Sequence, residues 1–484
     1  MTLTQRVTTA LLAAVLGLAT VPATAAVASP AVPASGPEWT SMMHGDPESS
    51  DSTAFPGPGR GAHLAGSSVP GGVCAATFVT GDGYPMSLCT AYVERTPRRG
   101  ASGVAGVDVA VPVVTLFHPK TARVLAKLPL AKGDLFGGVY GFLDARDRVV
   151  VADGTGSIVR VGKHRTADGW RLRVDARTDI SRHLRGDGVT GLAPDYQGRT
   201  WFATTHGVVG TVDAAGRVGA TRLPRGERLG NGLTIRRGGA SVLSTHALYE
   251  MRAGDDGVPH TVWRRSYDRG KARKPGQLTW GSGTTPTYFG PGGDAWVAIV
   301  DSAAVPELIV YRADDGSQVC RMKAFRAPRQ GTENSPMAWG NSLVIPSTYG
   351  FVYPPIATSG GPSVPASAPF RGGMTRVDVT DGRCSRVWET RTDRMATLPR
   401  LSRADGMIHG LAYGPYRGGV QQSGPVNYVA IDFATGRRIV TERVGAAPVD
   451  EPLQLTGMIA PDGTLWQGTV TRMLKVAPGR RTGR

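Results

Sequence analysis

The sequence lacks an apolar run long enough to span a membrane, which takes roughly 20 apolar residues. An apolar stretch at residues 10–21 follows Arg6 and precedes two triplets of small residues, 23–25 and 26–28. This order is typical of a secretory signal peptide. We therefore predict that residues 1–28 direct export and that the protein is bacterial and extracellular. A membrane anchor is the alternative, but the apolar stretch is too short for one, and no Cys follows closely enough for a lipoprotein anchor.

Cysteine is scarce, and its spacing excludes several sites. The chain has only Cys74, Cys89, Cys320 and Cys384, with no CxxC or CxxCH spacing. That excludes c-type haem attachment and disfavours a cysteine metal site, the alternative to disulfides. An even number of cysteines in an exported chain favours disulfides. Cys74 and Cys89 flank a turn at residues 81–85 and are predicted to pair across a hairpin, which leaves Cys320 with Cys384.

Acidic residues are in the minority. The chain has 55 Lys plus Arg against 38 Asp plus Glu, a net charge of +17, and few of the basic residues are Lys. A nucleic-acid binder usually concentrates such charge in a patch or stripe. Here Arg is spread along the chain, with one modest cluster at residues 264–274. We expect no nucleic-acid partner; attraction to anionic envelope polymers or membrane surfaces is a possible consequence of the charge.

Helical periodicity is nearly absent after the signal region, and a repeat takes its place. Residues 29–72 are rich in Pro, Gly, Ser and Ala and are interpreted as an arm. Residues 73–479 then repeat short apolar strands separated by Gly/Asp turns, most clearly at 189–218 and 455–476. This pattern is typical of a β-propeller. Eight copies begin near Val73, Gly137, Val189, Gly230, Gly281, Thr332, Pro399 and Leu455.

The sequence therefore predicts an all-β, eight-bladed propeller, followed by a basic tail at residues 480–484. Seven blades are the alternative, because a Pro/Gly/Ser-rich insertion at residues 354–369 interrupts one copy. The last copy is short and lacks an outer strand. A strand from the arm around Trp39 is expected to supply it and to close the ring, which removes exposed sheet edges.

Several outer strands carry a shared turn motif. Residues 429–436 (VAIDFATG) and 377–382 (VDVTDG, followed by Trp388) are the clearest copies, and residues 311–316 are a weaker one. They resemble the outer-strand motif of PQQ-like (quinoprotein-type) propellers, and residues 39–47 are similar to the entry segment of those proteins. In this turn Asp and Thr cap backbone amides and Gly takes a positive φ. The resemblance implies a fold and is silent on chemistry.

The cofactor PQQ itself is not expected. The quinoprotein dehydrogenases that the fold resembles use a pair of adjacent cysteines, and this chain has none. It also lacks the Gly-x-Ser-x-Gly elbow of α/β-hydrolases, a P-loop and a GxGxxG segment after a strand.

A second, shorter resemblance concerns the inner strands. Residues 230–235 (GNGLTI), with 247–249 (ALY), are similar to a strand of the SMP-30/gluconolactonase-like propellers. The resemblance implies a central divalent cation held by Asn231, with Glu333 and Asp301 at the positions of the other ligands. The fuller motif that this family has around its Glu is absent.

In a propeller, polar residues at the starts of inner strands meet at the mouth of the central channel. We predict a site for Ca²⁺ or another divalent cation there, because Ca²⁺ takes six to eight oxygen ligands. The candidate ligands are Asn231, Asp301, Glu333 and Asn334. The alternative is that these residues cap strand ends and bind channel waters.

His206 and His246 occupy matching positions in consecutive copies. Neighbouring imidazoles could serve as general base and general acid. The alternative is a structural histidine repeated with the blade.

Two functions follow from these observations. The favoured one is a non-catalytic extracellular or cell-envelope scaffold, expected to be a monomer. It would bind a protein, an envelope polymer or a small molecule through the loops at residues 96–106 and 354–369, since loops on rigid scaffolds often carry binding. The alternative is a divalent-metal-dependent hydrolase or lyase, lactonase- or esterase-like, at the channel mouth. The sequence leaves open whether the protein is an enzyme.

Overall fold

A computed structural model describes residues 42–94, 107–131, 140–415 and 422–479 of the chain. The predicted signal peptide, Trp39, the loop at residues 96–106 and the tail at 480–484 lie outside the described residues.

The described chain is almost entirely β and forms eight sheets arranged as an eight-bladed β-propeller. Two strands precede the first complete sheet, β1 (Ser52–Thr53) and β2 (His63–Ser68). Blade 1 contains β3 (Gly72–Val79), β4 (Pro85–Glu94), β5 (Val107–Phe117) and β6 (Val124–Pro129). Blade 2 contains β7 (Gly141–Leu143), β8 (Val149–Ala152), β9 (Ser157–Thr166) and β10 (Gly169–Asp179). Blade 3 contains β11 (Val189–Pro194), β12 (Thr200–Thr204), β13 (Val208–Val212) and β14 (Val218–Arg222).

The remaining blades follow the same plan. Blade 4 contains β15 (Thr234–Arg236), β16 (Gly239–Leu243), β17 (Ala247–Ala253) and β18 (Pro259–Ser266). Blade 5 contains β19 (Thr287–Phe289), β20 (Trp296–Val300), β21 (Glu307–Arg312) and β22 (Gln318–Lys323). Blade 6 contains β23 (Met337–Trp339), β24 (Ser342–Pro346), β25 (Met374–Thr380) and β26 (Arg383–Glu389). Blade 7 contains β27 (Arg400–Ser402), β28 (Met407–Tyr413), β29 (Gly424–Asp432) and β30 (Arg438–Ala447). Blade 8 contains β31 (Met458–Ile459), β32 (Leu465–Gly468) and β33 (Met473–Ala477). The described helices are one turn of α-helix, α1 (Ser181–Leu184), and two 3₁₀ turns, Pro291–Gly293 and Pro355–Ala357.

The strand positions follow from burial and from one recurring turn. Every residue of the three inner strands of blade 3, β11, β12 and β13, is buried. In contrast, the outer strand β10 of blade 2 alternates between exposed and more buried residues. Between β11 and β12, the Asp195 carboxylate accepts the amides of Gln197 and Arg199 at 2.9 and 2.8 Å. Gly198 in that turn has a φ of +81°. Such a turn reverses the chain tightly and lets both flanking strands stay in the core.

The last blade is completed by the arm. Strand β2 pairs antiparallel with β33 and forms the outer edge of blade 8. The expected closing strand around Trp39 is therefore wrong in its position, because a later part of the arm, His63–Ser68, occupies that edge. Pairing the two ends of the propeller in one sheet satisfies the edge of β33.

Both predicted disulfides are present. Cys74 and Cys89 face each other across β3 and β4 and are bonded. Cys320 of β22 is bonded to Cys384 of β26, which ties the outer strands of blades 5 and 6. The second bond closes a sequence separation of 64 residues. A cross-link of that length restricts the unfolded chain and contributes on the order of 2–4 kcal/mol to stability.

The predicted outer turn has the expected local structure in blade 7. The amide and hydroxyl of Thr435 both donate to Asp432 Oδ1, at 2.7 and 2.6 Å, and Gly436 has a φ of +71°. Gly436 packs on the ring of Trp388 from blade 6, where a Cβ would lie only 2.8 Å from the ring. The Trp388 indole N–H donates to the Phe433 carbonyl at 2.9 Å. The motif thus joins neighbouring blades.

The same contact recurs between blades 4 and 5. Gly316 packs on the ring of Trp263, whose indole N–H donates to the Ala313 carbonyl at 2.7 Å. The outer turn is therefore an inter-blade joint in at least two places.

Residues 42–53, here called the central segment, run along the innermost strands. Four carbonyls of this segment accept backbone amides, one from each of four blades. The pairs are Ile235 N–H to Pro47 O at 2.7 Å, Tyr288 N–H to Glu48 O at 3.0 Å, Ala338 N–H to Ser50 O at 2.8 Å and Leu401 N–H to Asp51 O at 3.0 Å. Blades 4 to 7 thus contact one continuous piece of chain, and Met42 extends the contact to Phe142 of blade 2. The sequence did not predict that part of the arm lies at the centre of the ring.

An ion pair anchors the central segment. The Arg400 guanidinium binds the Asp51 carboxylate, and both side chains are about 1 % exposed. Arg400 also donates to the Met43 carbonyl and, at 2.9 Å, to the Gly457 carbonyl of blade 8. Burial lowers the pKa of Arg400, and the Asp51 charge opposes that shift. One side chain of β27 therefore connects the segment to two blades.

We predict that Asp51→Asn lowers the free energy of unfolding by about 3–5 kcal/mol, because it leaves Arg400 buried without its carboxylate. Chemical denaturation measures the change. The exposed pair of Asp213 and Arg217 provides the control, and Arg217→Gln is expected to cost no more than about 1 kcal/mol. Equal, small effects of the two substitutions would contradict the anchoring role of Asp51.

Candidate functional site

Two long connections cover one end of the propeller. Residues 267–286 link β18 to β19, and residues 347–373 link β24 to β25. They are joined by backbone hydrogen bonds from Ser359 N–H to Leu278 O at 2.8 Å and from Val364 N–H to Arg273 O at 2.8 Å. We call the two together the cap. The insertion at residues 354–369, predicted to be a contact loop, is thus one half of an ordered surface.

A cavity of about 300 Å³ lies between the cap and the central segment. We call it the central cavity. Most of its lining side chains are apolar, and they come from the cap, the central segment and the inner ends of several blades. They include Met43, Val73, Leu398, Leu453, Leu455 and Val470. Polar side chains also reach it, namely Thr90, Tyr140, Tyr353, His44, Asn231, Thr285, Glu333 and Gln454. A largely apolar cavity with a few convergent polar groups is the usual form of a small-molecule site.

Glu333 is the acidic residue in this lining. Its side chain is buried, with the whole residue 4 % exposed, and neither carboxylate oxygen has a hydrogen-bond partner among the described residues. Burial raises the pKa of Glu333 well above 4.5, and the nearby Leu278 amide and Arg273 guanidinium oppose that shift only in part. Gly283 makes room for the carboxyl group, since a Cβ there would lie 2.1 Å from Glu333 Oε2.

Two of the other predicted metal ligands lie near Glu333 and are already hydrogen-bonded. Asn231 lines the same cavity, and its amide donates to the Gly283 carbonyl at 2.6 Å. The Asn334 amide donates instead to the carbonyls of Ala396 and Thr397, at 3.2 and 3.1 Å. Its oxygen accepts from Gln454 at 2.8 Å. Asn334 therefore links blade 6 to its neighbours.

Asp301 is not part of the cavity lining. Its Oδ1 accepts the amides of Ala303 and Glu307, at 3.2 and 2.8 Å, so the carboxylate holds the turn after β20. Burial raises the pKa of Asp301 to about 6. Of the four predicted ligands, the structure brings only Asn231 and Glu333 to one cavity. Within the described ranges, no three His, Cys, Asp or Glu residues are grouped as a metal site requires. Ca²⁺ binding thus stays a prediction.

His206 and His246 have separate partners. His206 is exposed, and its Nδ1 lies 2.7 Å from Asp187 Oδ1. His246 Nε2 accepts from Arg269 at 2.6 Å, while its Nδ1 lies 3.0 Å from the Thr245 hydroxyl. Burial, followed by the charge of Arg269, lowers the pKa of His246. A catalytic role for the two histidines stays a prediction.

His246 borders a second pocket of about 390 Å³ beside the cap. Arg228 and Arg269 supply its charge, and we call it the basic pocket. The Arg269 guanidinium stacks on Trp280 at 3.9 Å from the ring centroid, and its Nε has no hydrogen-bond partner among the described residues. A flat, stacked guanidinium with an unused N–H is suited to an oxyanion.

The basic cluster at residues 264–274 is only partly available. Arg264 is paired with Glu227 at 2.9 Å, and Arg265 donates to the Gly316 carbonyl at 2.7 Å. Arg273 donates to the Gly361 carbonyl at 3.0 Å, and Lys274 to the Ala303 carbonyl. Most of these charges therefore hold blades and cap together, and Arg269 is the member that lines the basic pocket.

Sequence reasoning missed the contribution of the central segment to the cavity. His44 lies between the cavity and the Asp51 carboxylate, with Nδ1 3.0 Å from Asp51 Oδ2 and Nε2 3.2 Å from the Thr285 hydroxyl. The composition of the arm is that of a linker, and the resemblance of residues 39–47 to an entry segment did not indicate that residues 42–53 reach the cavity. It also missed Tyr353 of the cap, whose hydroxyl donates to Gln454 at 2.9 Å.

Comparison with known proteins adds little beyond the fold. No known protein-family profile matches the chain. An uncharacterised protein of Archaeoglobus fulgidus is 22 % identical in an alignment of 328 positions that covers 62 % of this chain and 62 % of the archaeal protein. The chain therefore spans less than two thirds of the length of this relative.

Solved structures show a similar fold at low sequence identity. BamB from Moraxella catarrhalis is 12 % identical, with a TM-score of 0.42 over 69 % of this chain and 85 % of BamB. The computationally designed Ika8 protein is 9 % identical, with a TM-score of 0.49 over 86 % of this chain and all of the designed one. The β-propeller domain of Cps50 (Swd1) from Myceliophteria thermophila is 10 % identical, with a TM-score of 0.39 over 68 % and 93 %. At these identities the PQQ-like and SMP-30-like resemblances stay predictions.

In the part of the chain that the structure describes, no helix has the length and apolar character needed to cross a bilayer.

We predict that Glu333→Gln stabilises the protein progressively as the pH rises. A carboxyl group whose pKa is higher in the folded than in the unfolded protein stabilises the fold fully only at pH values below its unfolded pKa, near 4.5. That stabilisation is lost as the pH rises toward the pKa of the folded protein. Glutamine does not titrate. The Tm difference between variant and wild type should therefore grow as the pH rises from about 5 toward the folded pKa.

Asp255→Asn, at an exposed carboxyl of the β17–β18 turn, is the control and should show no such trend. A Tm difference for Glu333→Gln that is constant with pH would mean that Glu333 has an ordinary pKa in the folded protein.

Proposed function

We propose that this protein is an exported, non-catalytic binding propeller whose contact face is the cap and the basic pocket beside it. The observation that carries the proposal is the joining of two long connections into one hydrogen-bonded surface on a rigid ring. Loops held in this way on a scaffold commonly carry recognition. Export agrees with the predicted signal peptide and with the two disulfides, which persist in oxidising compartments.

The chemistry of the basic pocket favours an anionic partner. Arg269 lines the pocket with a stacked guanidinium whose Nε is buried and has no hydrogen-bond partner among the described residues, and Arg228 is exposed at the rim. Lowering of the pKa of His246 leaves this imidazole uncharged near neutral pH, so the two arginines supply the positive charge. The net charge of +17 adds a long-range attraction for polyanions. We infer that the ligand is an anionic polymer of the cell envelope.

We favour a binding role over catalysis because the two candidate catalytic histidines already have hydrogen-bond partners in the protein. Arg269 donates to the His246 Nε2 lone pair, so this nitrogen is not free to take a proton from a substrate. His206 lies outside the lining of both pockets and is held by Asp187. The central cavity has a single acidic side chain in its lining, Glu333.

We predict that Arg228→Gln combined with Arg269→Gln weakens binding of inorganic polyphosphate about tenfold or more. Each lost charge-assisted hydrogen bond is worth about 1.5–3 kcal/mol, and 1.4 kcal/mol is a factor of ten in affinity. Fluorescence of Trp280, against which Arg269 is stacked, and isothermal calorimetry at two salt concentrations measure the effect.

The matched control is Arg171→Gln combined with Arg173→Gln, which removes the same charge from two exposed positions on β10. It should change the affinity less than threefold. Equal losses in both double variants would mean that binding follows net charge and that the basic pocket is not the contact site. An unchanged affinity after loss of Arg228 and Arg269 would favour a protein partner on another face.

A further inference from the structure

The carboxyl group of Glu333 is buried in a largely apolar cavity, and both of its oxygens lack a hydrogen-bond partner among the described residues. Buried polar groups in proteins are almost always hydrogen-bonded, because an unpaired one is destabilising. An unpaired acid aimed into a cavity is a frequent property of a binding site.

Three polar side chains of the lining are already hydrogen-bonded to other groups of the protein. The Asn231 amide donates to the Gly283 carbonyl. The Gln454 amide donates to the Glu333 backbone carbonyl and to Asn334 Oδ1, at 2.9 and 2.8 Å. The Tyr353 hydroxyl donates to Gln454 Oε1. Apart from the Leu278 amide, which lies close enough to lower the pKa of Glu333, these groups leave the two carboxyl oxygens open to donors from a molecule in the cavity.

We propose that the central cavity binds a small primary ammonium ligand with an apolar body, whose N–H groups donate to both oxygens of Glu333. An ammonium group has three donors and a positive charge, so it satisfies both oxygens and neutralises the buried carboxylate. Apolar walls such as Met43, Leu398, Leu453 and Leu455 fit an alkyl or aryl body. The cavity volume of about 300 Å³ is at the lower end of the range for ligand-binding sites, so the ligand must be small.

The central cavity and the basic pocket share Gly230 and Leu278 in their linings, but Glu333 lines only the cavity and Arg269 only the pocket, so the proposal needs no assumption about the partner of the basic pocket. It also differs from a Ca²⁺ site, which needs six to eight oxygen ligands, whereas the cavity lining has one carboxylate. The charged and titratable groups facing Glu333 are Arg273, Tyr140 and Tyr353, and His44 lies at the central-segment end of the cavity.

Binding has a defined proton balance. Burial raises the pKa of Glu333 well above its usual range, which favours the protonated carboxyl in the free protein. When the ammonium ligand enters, the carboxyl O–H bond breaks, the proton leaves to solvent, and the carboxylate accepts the ligand N–H bonds. Each binding event at a protonated Glu333 therefore releases one proton.

Isothermal calorimetry with hexylammonium chloride on the purified protein tests the proposal. We expect saturable binding with a stoichiometry of one. The heats in two buffers of different ionisation enthalpy should differ by the release of one proton. Glu333→Gln, which keeps the size of the side chain, should weaken binding at least about tenfold and abolish the proton release. Ala357→Phe, which places a ring in the cavity from the cap, should also abolish binding without removing the carboxyl.

Glu451→Gln is the matched control. Glu451 is a buried acid outside the cavity lining that accepts the Tyr413 hydroxyl and the Leu453 amide, bonds that a glutamine oxygen also accepts. It should leave hexylammonium binding unchanged. Circular dichroism confirms that each variant is folded.

Four results would overturn the proposal. Equal affinity for hexan-1-ol or hexanamide would show that charge is not recognised. Stoichiometric binding of calcium chloride that excludes hexylammonium would make the cavity a metal site. Full binding by folded Glu333→Gln would place the ligand elsewhere. Absence of binding at millimolar hexylammonium would mean that the cavity takes no ammonium ligand.

Discussion

The buried pair of Asp51 and Arg400 determines how the centre of this propeller is built. Ordering each residue of a Pro- and Gly-rich arm costs on the order of 1–2 kcal/mol of conformational entropy. The arm therefore needs a stabilising contact such as this ion pair to stay inside the ring. The pair fixes one point of the segment, and His44 and Ser335 hydrogen-bond to the same carboxylate. Backbone carbonyls on either side then accept amides from successive inner strands. A long-range electrostatic contact thus positions a run of regular hydrogen bonds.

This arrangement also explains where the cavities are. The central segment fills the channel next to the inner strands, and the cap covers one end of the ring. The space between them is enclosed by apolar side chains from both, and Glu333 at the entry to blade 6 projects into it. The basic pocket lies beside the cap, where Arg269 and Trp280 stack. The two sites therefore differ in charge because one is bounded by the core and the other by surface loops.

The local patterns of the sequence were sufficient for much of the fold. Short buried strands separated by Asp/Gly turns predicted eight blades, and blades 1, 3 and 7 begin within about one residue of the positions expected from the repeat. Turn chemistry is local, because Asp432, Thr435 and Gly436 interact within a few residues of each other. The hairpin disulfide of Cys74 and Cys89 is local as well, and the second disulfide followed by elimination. The closing strand was expected from the arm, but at Trp39 and not at His63–Ser68.

The sequence by itself determined the repeat, the turns, the disulfides and the presence of polar residues near the channel, because each depends on neighbours along the chain or on an even cysteine count. Only the tertiary structure decided which of those polar residues share a site. Asp301 and Asn334 have the residue types of metal ligands, yet Asp301 accepts amides of its own turn and Asn334 donates to carbonyls of a distant segment, whereas the Glu333 carboxyl has no such partner among the described residues. The surroundings of Asn334 and Glu333 are made by residues far apart in sequence, and a linear pattern contains no record of those contacts.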